Sequence, residues 1–288
     1  MFLTVLILGT VLGGTYALLA LGLTLQYGIA RIMNLAYGEV TLVAAFFLVW
    51  AFQGLNLSPV LSILLLTPAG YGAGWLLYAV MMRPLVKRSG ASGRLEVDSI
   101  LATFGLLFLL QGLLLITFGP NFTSISYLDQ GVDILGVSVS ANRLIAFVIC
   151  VVAGAGLLLV LTRTRWGLSL RAVALSPGSA PLVGIDVNRV ARQGFALGTA
   201  LAATAGGALA MYQTFSATEG VIITMKALVI VIMGGKGNVG GALVAGLALG
   251  LIETFVATAI DPGLTLAATF AIFLLVLLWR PQGLFGRN

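Results

Sequence analysis

Residues 162–192 read TRTRWGLSLRAVALSPGSAPLVGIDVNRVAR, the longest water-compatible stretch in a chain that otherwise avoids water. The stretch sets Arg163, Arg165, Arg171, Arg189 and Arg192 against one acid, Asp186. Pro177, Pro181 and Gly184 punctuate a short amphipathic piece in its middle. Of the chain's 288 residues, 60% are apolar and 8% charged, where a soluble domain carries about a quarter charged residues. So few charges cannot clothe a soluble surface, and the apolar runs therefore face lipid. Backbone groups in hydrocarbon need partners within the chain, which helices supply locally. The period-two alternation of a membrane barrel is absent. The predicted fold class is an all-α polytopic membrane protein, a single domain over residues 1–288. Within it, 162–192 is expected to dock a partner at the cytoplasmic face, while the surrounding spans form a path for a small solute.

Working outward, apolar runs predict spans near 3–27, 40–52, 59–82, 99–118, 144–161, 193–215, 241–259 and 264–279. No Lys or Arg precedes Arg31, so the basic start of a cleaved signal peptide is missing and the first span is expected to be retained. The second run is short for a crossing and is expected to borrow polar residues from Asn34 onward. Pro68 and nearby glycines predict a kink or close packing in the third. The run 221–233 is too short for a comfortable span and reads as a broken or tilted helix. The VDILGVSVS stretch (132–140) reads as re-entrant or extended, and the Ser and Gly residues around position 90 as an ordinary loop. The total is about eight crossings.

Orientation follows from charge. The segments 83–98 (with Arg94 among its basic residues), 162–192 and 280–288 hold 11 of the chain's 15 Lys and Arg residues. Placing all three inside puts the C-terminus in the cytoplasm and the N-terminus outside. The same placement explains the net charge of +6 without nucleic acid, because no basic stripe with interleaved aromatics is present.

Chemistry-bearing motifs are sparse. There is no histidine, and the one cysteine, Cys150, lies in an apolar run, so metal sites, disulfides and thiol catalysis are poor readings. Gly235-Lys236-Gly237-Asn238-Val239-Gly240 matches G-x-G-x-x-G but lacks the soluble βαβ setting of a dinucleotide site. It reads better as a tight turn between membrane helices. Gly237-x-x-x-Gly241 and Gly246-x-x-x-Gly250 read as helix-contact patterns. No residue set looks catalytic. Glu39, Lys226 and Glu253 lie in or beside apolar runs, where an ionisable group usually faces a cavity or a partner. For Lys226 the leading expectation is snorkelling to the interface. Asn34, Tyr37, Glu39 and Glu253 are the translocation-pathway candidates.

Four blocks carry a resemblance: GLTLQYGIARIMNLAYGEV (22–40), RTRWGLSLRAVALSPGSAPLVGIDVNRV (163–190), GGKGNVGGALVAGLALGLIE (234–253) and RPQGLFG (280–286). In order and spacing the chain resembles branched-chain amino acid permeases of the LivH type, membrane subunits of ATP-driven (ABC) importers in a bacterial-type inner membrane. The resemblance implies a second permease subunit, commonly a non-identical homologue, two ATP-binding subunits and a periplasmic solute-binding protein. ATP and Mg would be used by the partner ATPases, and this chain would bind no cofactor. It further implies that Ala174–Ile185 forms a coupling helix seated in an ATPase groove. Arg171, Leu175, Ala180, Leu182, Val183, Gly184 and Ile185 are the docking candidates. Two departures stand out: Tyr37 occupies a place where many relatives have His, and Pro177 and Pro181 replace charged helix formers. The same family includes permeases for urea and short amides. The rival is a secondary transporter or channel that needs no ATPase, with Glu39, Lys226 and Glu253 as ion-coupling groups.

Overall fold

A computed structural model describes residues 2–89, 95–134 and 136–286. Arg94 and most of the Ser/Gly-rich stretch read as a loop lie outside the described residues. The chain runs α1 (Phe2–Ala30), α2 (Tyr37–Leu55) and α3 (Pro59–Leu77), then through a π turn (Tyr78–Met82) into α4 (Arg83–Ser89). Next come α5 (Leu95–Phe118), a hairpin of β1 (Gly131–Ile134) and β2 (Val137–Ser140), and α6 (Ala141–Arg163). The rest is α7 (Arg165–Leu175), α8 (Val187–Ala210), α9 (Gly220–Gly234), α10 (Val239–Ala259) and α11 (Thr265–Trp279). Among the described residues, seven helical stretches are long and apolar enough to cross a membrane: Phe2–Ala30, Tyr37–Leu55, Pro59–Arg88, Leu95–Phe118, Ala141–Arg163, Val239–Ala259 and Pro262–Trp279. The all-α polytopic class holds. VDILGVSVS is extended rather than re-entrant, with Val132 opposite Val139 in an antiparallel pair and Leu135 outside the described residues.

Local chemistry sets the helix ends. Ser58 accepts from the Leu61 amide and Pro59 fills the first turn of α3, while Asp186 and Asn238 cap α8 and α10 through the amides of Arg189 and Gly241. The second run gains its length by starting at Tyr37. The short run is α9, whose 15 residues span roughly 22 Å against about 30 Å of hydrocarbon.

At the centre stands α8, buried almost without interruption from Val190 to Ala210 and packed on α1, α2 and α3. Its small residues reflect that position. Lipid gives no hydrophobic reason for helices to associate, so close backbone packing must supply it. The same logic joins α1 to α10, the most extensive helix pair in the fold. A Cβ on Gly13 would lie 2.8 Å from the Leu247 Cα, and one on Gly246 would lie 2.6 Å from the Ala17 Cα. The helix-contact reading of Gly246-x-x-x-Gly250 is thus met inside one chain. The outer faces of α3, α5, α6 and α11 carry exposed Leu, Val and Phe, as a hydrocarbon surround requires.

Gly250→Leu must force α1 and α10 apart. Overpacking of this kind typically costs about 1–3 kcal/mol, so the purified chain should show a lower thermal midpoint in detergent. Gly105→Leu, at a site with nothing within 4 Å of the added Cβ, should leave that midpoint unchanged.

Candidate functional site

Between α1 and α2 the chain is not helical for residues 31–36, yet these residues lie among buried helices. Each exposed amide or carbonyl there needs a partner, because water is absent. Side chains provide them. The Met33 amide donates to Ser99 Oγ at 3.2 Å, the Leu35 amide to Thr103 Oγ1 at 3.1 Å and the Ala36 amide to Asn34 Oδ1 at 3.1 Å. Thr103 and Thr224 place their hydroxyls 3.1 Å from the carbonyls of Met33 and Leu35. Asn34 Nδ2 donates to Gln26 Oε1, and Gln26 Nε2 reaches Thr199 Oγ1 on α8.

The pathway candidates on this segment therefore lie inside the bundle in this conformation. Asn34 belongs to the ladder just described. Tyr37 is fully buried and donates its phenol proton to the Leu19 carbonyl at 2.9 Å. Glu39 is also fully buried, in the first turn of α2 and against Gly220, the first residue of α9. The N-termini of α2 and α9 meet beside its carboxylate. Neither carboxylate oxygen has a hydrogen-bond partner among the described residues. Gly38 and Gly220 let the two helix starts touch, with the Gly38 amide bonded to Thr224 Oγ1 at 2.8 Å.

Glu253 stands elsewhere, on α10, where it pairs with Lys226 of α9 at 2.6 Å. Lys226 Nζ also donates to the Tyr16 hydroxyl at 2.7 Å. Lys226 does not snorkel as expected: a carboxylate within reach at membrane depth is a better partner than a distant interface. Two clefts meet at this pair. One, about 80 Å³, runs between α1 and α9 and is lined by Tyr16, Gln213, Glu219, Lys226 and aliphatic residues. The other, about 250 Å³, is lined by Leu8, Val11, Leu12, Arg143, Tyr212, Gln213, Glu253 and neighbouring residues of α10. Larger grooves between α2 and α3 and between α3 and α6 are walled almost wholly by aliphatic side chains, which suits acyl chains rather than a charged solute. Sequence reading missed Tyr16, Gln26, Thr103, Arg143, Thr224 and Glu219. Their one shared signal is a polar side chain in or beside an apolar helix, shared too with threonines that only bond their own helix.

The loop 162–192 is an ordered handle. Trp166 Nε1 donates to Gln193 Oε1 at 2.6 Å, Leu170 and Val173 are buried, and Arg192 stacks over Trp75 at 4.6 Å. The expected helix over Ala174–Ile185 is not continuous. The helix of the loop is α7, which ends at Leu175, and only a 3-10 turn, Ala180–Val183, follows. Proline explains the break: Ser176, before Pro177, is driven out of helical geometry (φ −148°, ψ 84°). Gly184 then closes the turn in the left-handed region, φ 78°. Leu175, Leu182 and Val183 are 72%, 86% and 73% exposed, and Arg171 is exposed beside them. Ala180 is buried and Ile185 half-buried against the core. The docking candidates thus divide into an exposed aliphatic tip and a base that holds it. No cluster of His, Cys, Asp and Glu among the described residues could hold a metal.

The family profile described as branched-chain amino acid transport system / permease component matches residues 5–278. The chain is 30% identical to the high-affinity branched-chain amino acid transport system permease protein BraD of Pseudomonas aeruginosa, over 99% of this chain and 96% of that protein. It is likewise 30% identical to the corresponding permease protein LivH of Escherichia coli, over 97% and 94%. No solved structure matches the chain.

Thr103→Val removes the acceptor for the Leu35 amide. An orphaned buried donor costs about 1–3 kcal/mol, so the thermal midpoint in detergent should fall. Thr117→Val, whose hydroxyl only bonds carbonyls of its own helix, should change it far less.

Proposed function

Because the chain belongs to the family of permease components of branched-chain amino acid transport systems, we propose that it is the membrane-spanning subunit of an ATP-driven importer for branched-chain or other hydrophobic amino acids. It would act beside a second, homologous permease, two ATP-binding subunits that consume ATP and Mg, and a periplasmic solute-binding protein. Arg143 opens α6 and Arg163 ends it, so the charged clefts and the loop 162–192 lie at opposite ends of the bundle. The positive-inside rule puts the loop and the C-terminus in the cytoplasm and the N-terminus outside. The clefts then open toward the side from which a binding protein delivers.

The observation that carries this reading is the exposed aliphatic tip of an otherwise arginine-rich, well-anchored loop. A loop that served orientation alone would need the arginines but not Leu175, Leu182 and Val183. In the proposed cycle, ATP binding draws the ATPases together and the tip moves with them. Through Trp166 and Gln193 the motion reaches α8, on which α1, α2 and α3 pack. Access then alternates from one face to the other, driven by different affinities for the two states. Glu253 lines the path directly. Asn34, Tyr37 and Glu39 act on it from behind, by fixing where α2 and α9 begin.

Burying an aliphatic side chain contributes about 1.5–3 kcal/mol, and about 1.4 kcal/mol is tenfold in affinity. Leu182→Asp with Val183→Asp should therefore lower co-purification of the ATPase subunits at least tenfold, and ATP-driven uptake with it, while the chain's own yield holds. Undiminished co-purification and uptake would remove the docking role. The Lys226–Glu253 pair favours the rival, a transporter without an ATPase. Uptake by this chain alone in proteoliposomes would decide for that rival.

A further inference from the structure

The Lys226–Glu253 pair leaves bonding capacity unused. Glu253 Oε1 takes Lys226, but Oε2 has no partner among the described residues although Glu253 is only 9% exposed. An ammonium has three N–H donors, and Lys226 places two of them, on Glu253 and Tyr16. Arg143, across the larger cleft, has its guanidinium over the Tyr212 ring at 5.9 Å and no ion pair among the described residues. The larger cleft thus holds in its wall one cationic group without an ion pair among the described residues, Arg143, and one carboxylate, Glu253, whose Oε2 is enclosed and unpartnered, beside the aliphatic side chains of Leu8, Val11 and Leu12.

We propose that this cleft is a binding site for a free α-amino acid in its zwitterionic form, and that the Lys226–Glu253 pair forms its floor and opens by exchanging partners with the ligand. The proposal rests on the amino-acid importer reading and adds to it the site and the ligand form. In the site, Arg143 takes the carboxylate, Glu253 takes the ammonium as its enclosed Oε2 turns toward the cleft, and the aliphatic wall takes an apolar side chain. A simple amine would meet Arg143 unpaired, and a simple carboxylate would meet Glu253 unpaired. Leaving a buried charge without a partner is costly, so the site selects a solute that brings both charges on one carbon. Urea and amides bring neither.

Passage follows from the same arithmetic of charges. The smaller cleft lies on the other side of the pair, and Gln213 lines both. When the ligand's ammonium bonds Glu253 and its carboxylate moves from Arg143 to Lys226, one ion pair becomes two, and Arg143 returns to its place over the Tyr212 ring. Glu219, in the smaller cleft, then offers the ammonium its next partner. No proton or covalent bond changes hands.

The test uses the purified assembly without its binding protein, so that the permease's own selectivity is read. Labelled leucine is equilibrated with the complex by dialysis, against 3-methylbutylamine, which lacks the carboxylate, and 4-methylpentanoate, which lacks the ammonium. Unlabelled leucine should displace the label at least tenfold better than either analogue. This arm needs no variant. Arg143→Gln and Glu253→Gln should each weaken binding at least tenfold, while Thr117→Val leaves it unchanged. Equal competition by either analogue, no measurable leucine binding, or full binding by a folded Arg143→Gln complex overturns the site. Absence of ATP-driven leucine uptake by the intact wild-type system would instead overturn the importer reading, whatever the dialysis shows.

Discussion

A peptide group in hydrocarbon must be bonded by the protein, and the segment between α1 and α2 meets that constraint without being helical. Ser99 and Thr103 from α5, Thr224 from α9, and Asn34 from the segment itself bond its amides and carbonyls. Bonding the segment to α5 and α9 fixes where α2 begins. That start in turn fixes the place where the first turns of α2 and α9 meet around Glu39. The short length of α9 is then intelligible: a helix that begins beside another helix's start, rather than at the membrane surface, has less distance to cover.

The molecule separates two kinds of work by depth. At one end, an aliphatic tip projects from an anchored loop, exposed in the isolated chain. Toward the other, charged side chains meet in clefts whose walls are otherwise aliphatic. Between them, α8 is packed on several sides by small residues.

Much of the fold could be read from composition. Apolar runs separated by arginine-rich loops give the helices, and the glycine spacing on α10 gives its contact face. Boundaries at Tyr37 and Val187 were harder, because there polar or charged residues enter the helix and end the apolar run early. The site was read unevenly. Glu39 and Glu253 stand out as charges in apolar surroundings, and the structure brings Glu253 to Lys226. Their partners do not stand out. Thr103 and Thr224 complete a ladder, Thr117 and Thr162 bond only their own helix, and one chain of letters gives all four the same look. The expectation of one helix from Ala174 to Ile185 missed the geometry Pro177 imposes on Ser176.

The contact of α1 with α10 bears on biogenesis. Helix α1 leaves the ribosome well before residues 246–251, among which it finds its main neighbour. Until then its glycine face is exposed to lipid or to whatever chaperones the nascent chain. Insertion of the early helices and closure of the bundle are therefore separate events in time. The clasp between these distant segments is what turns a row of inserted helices into one body.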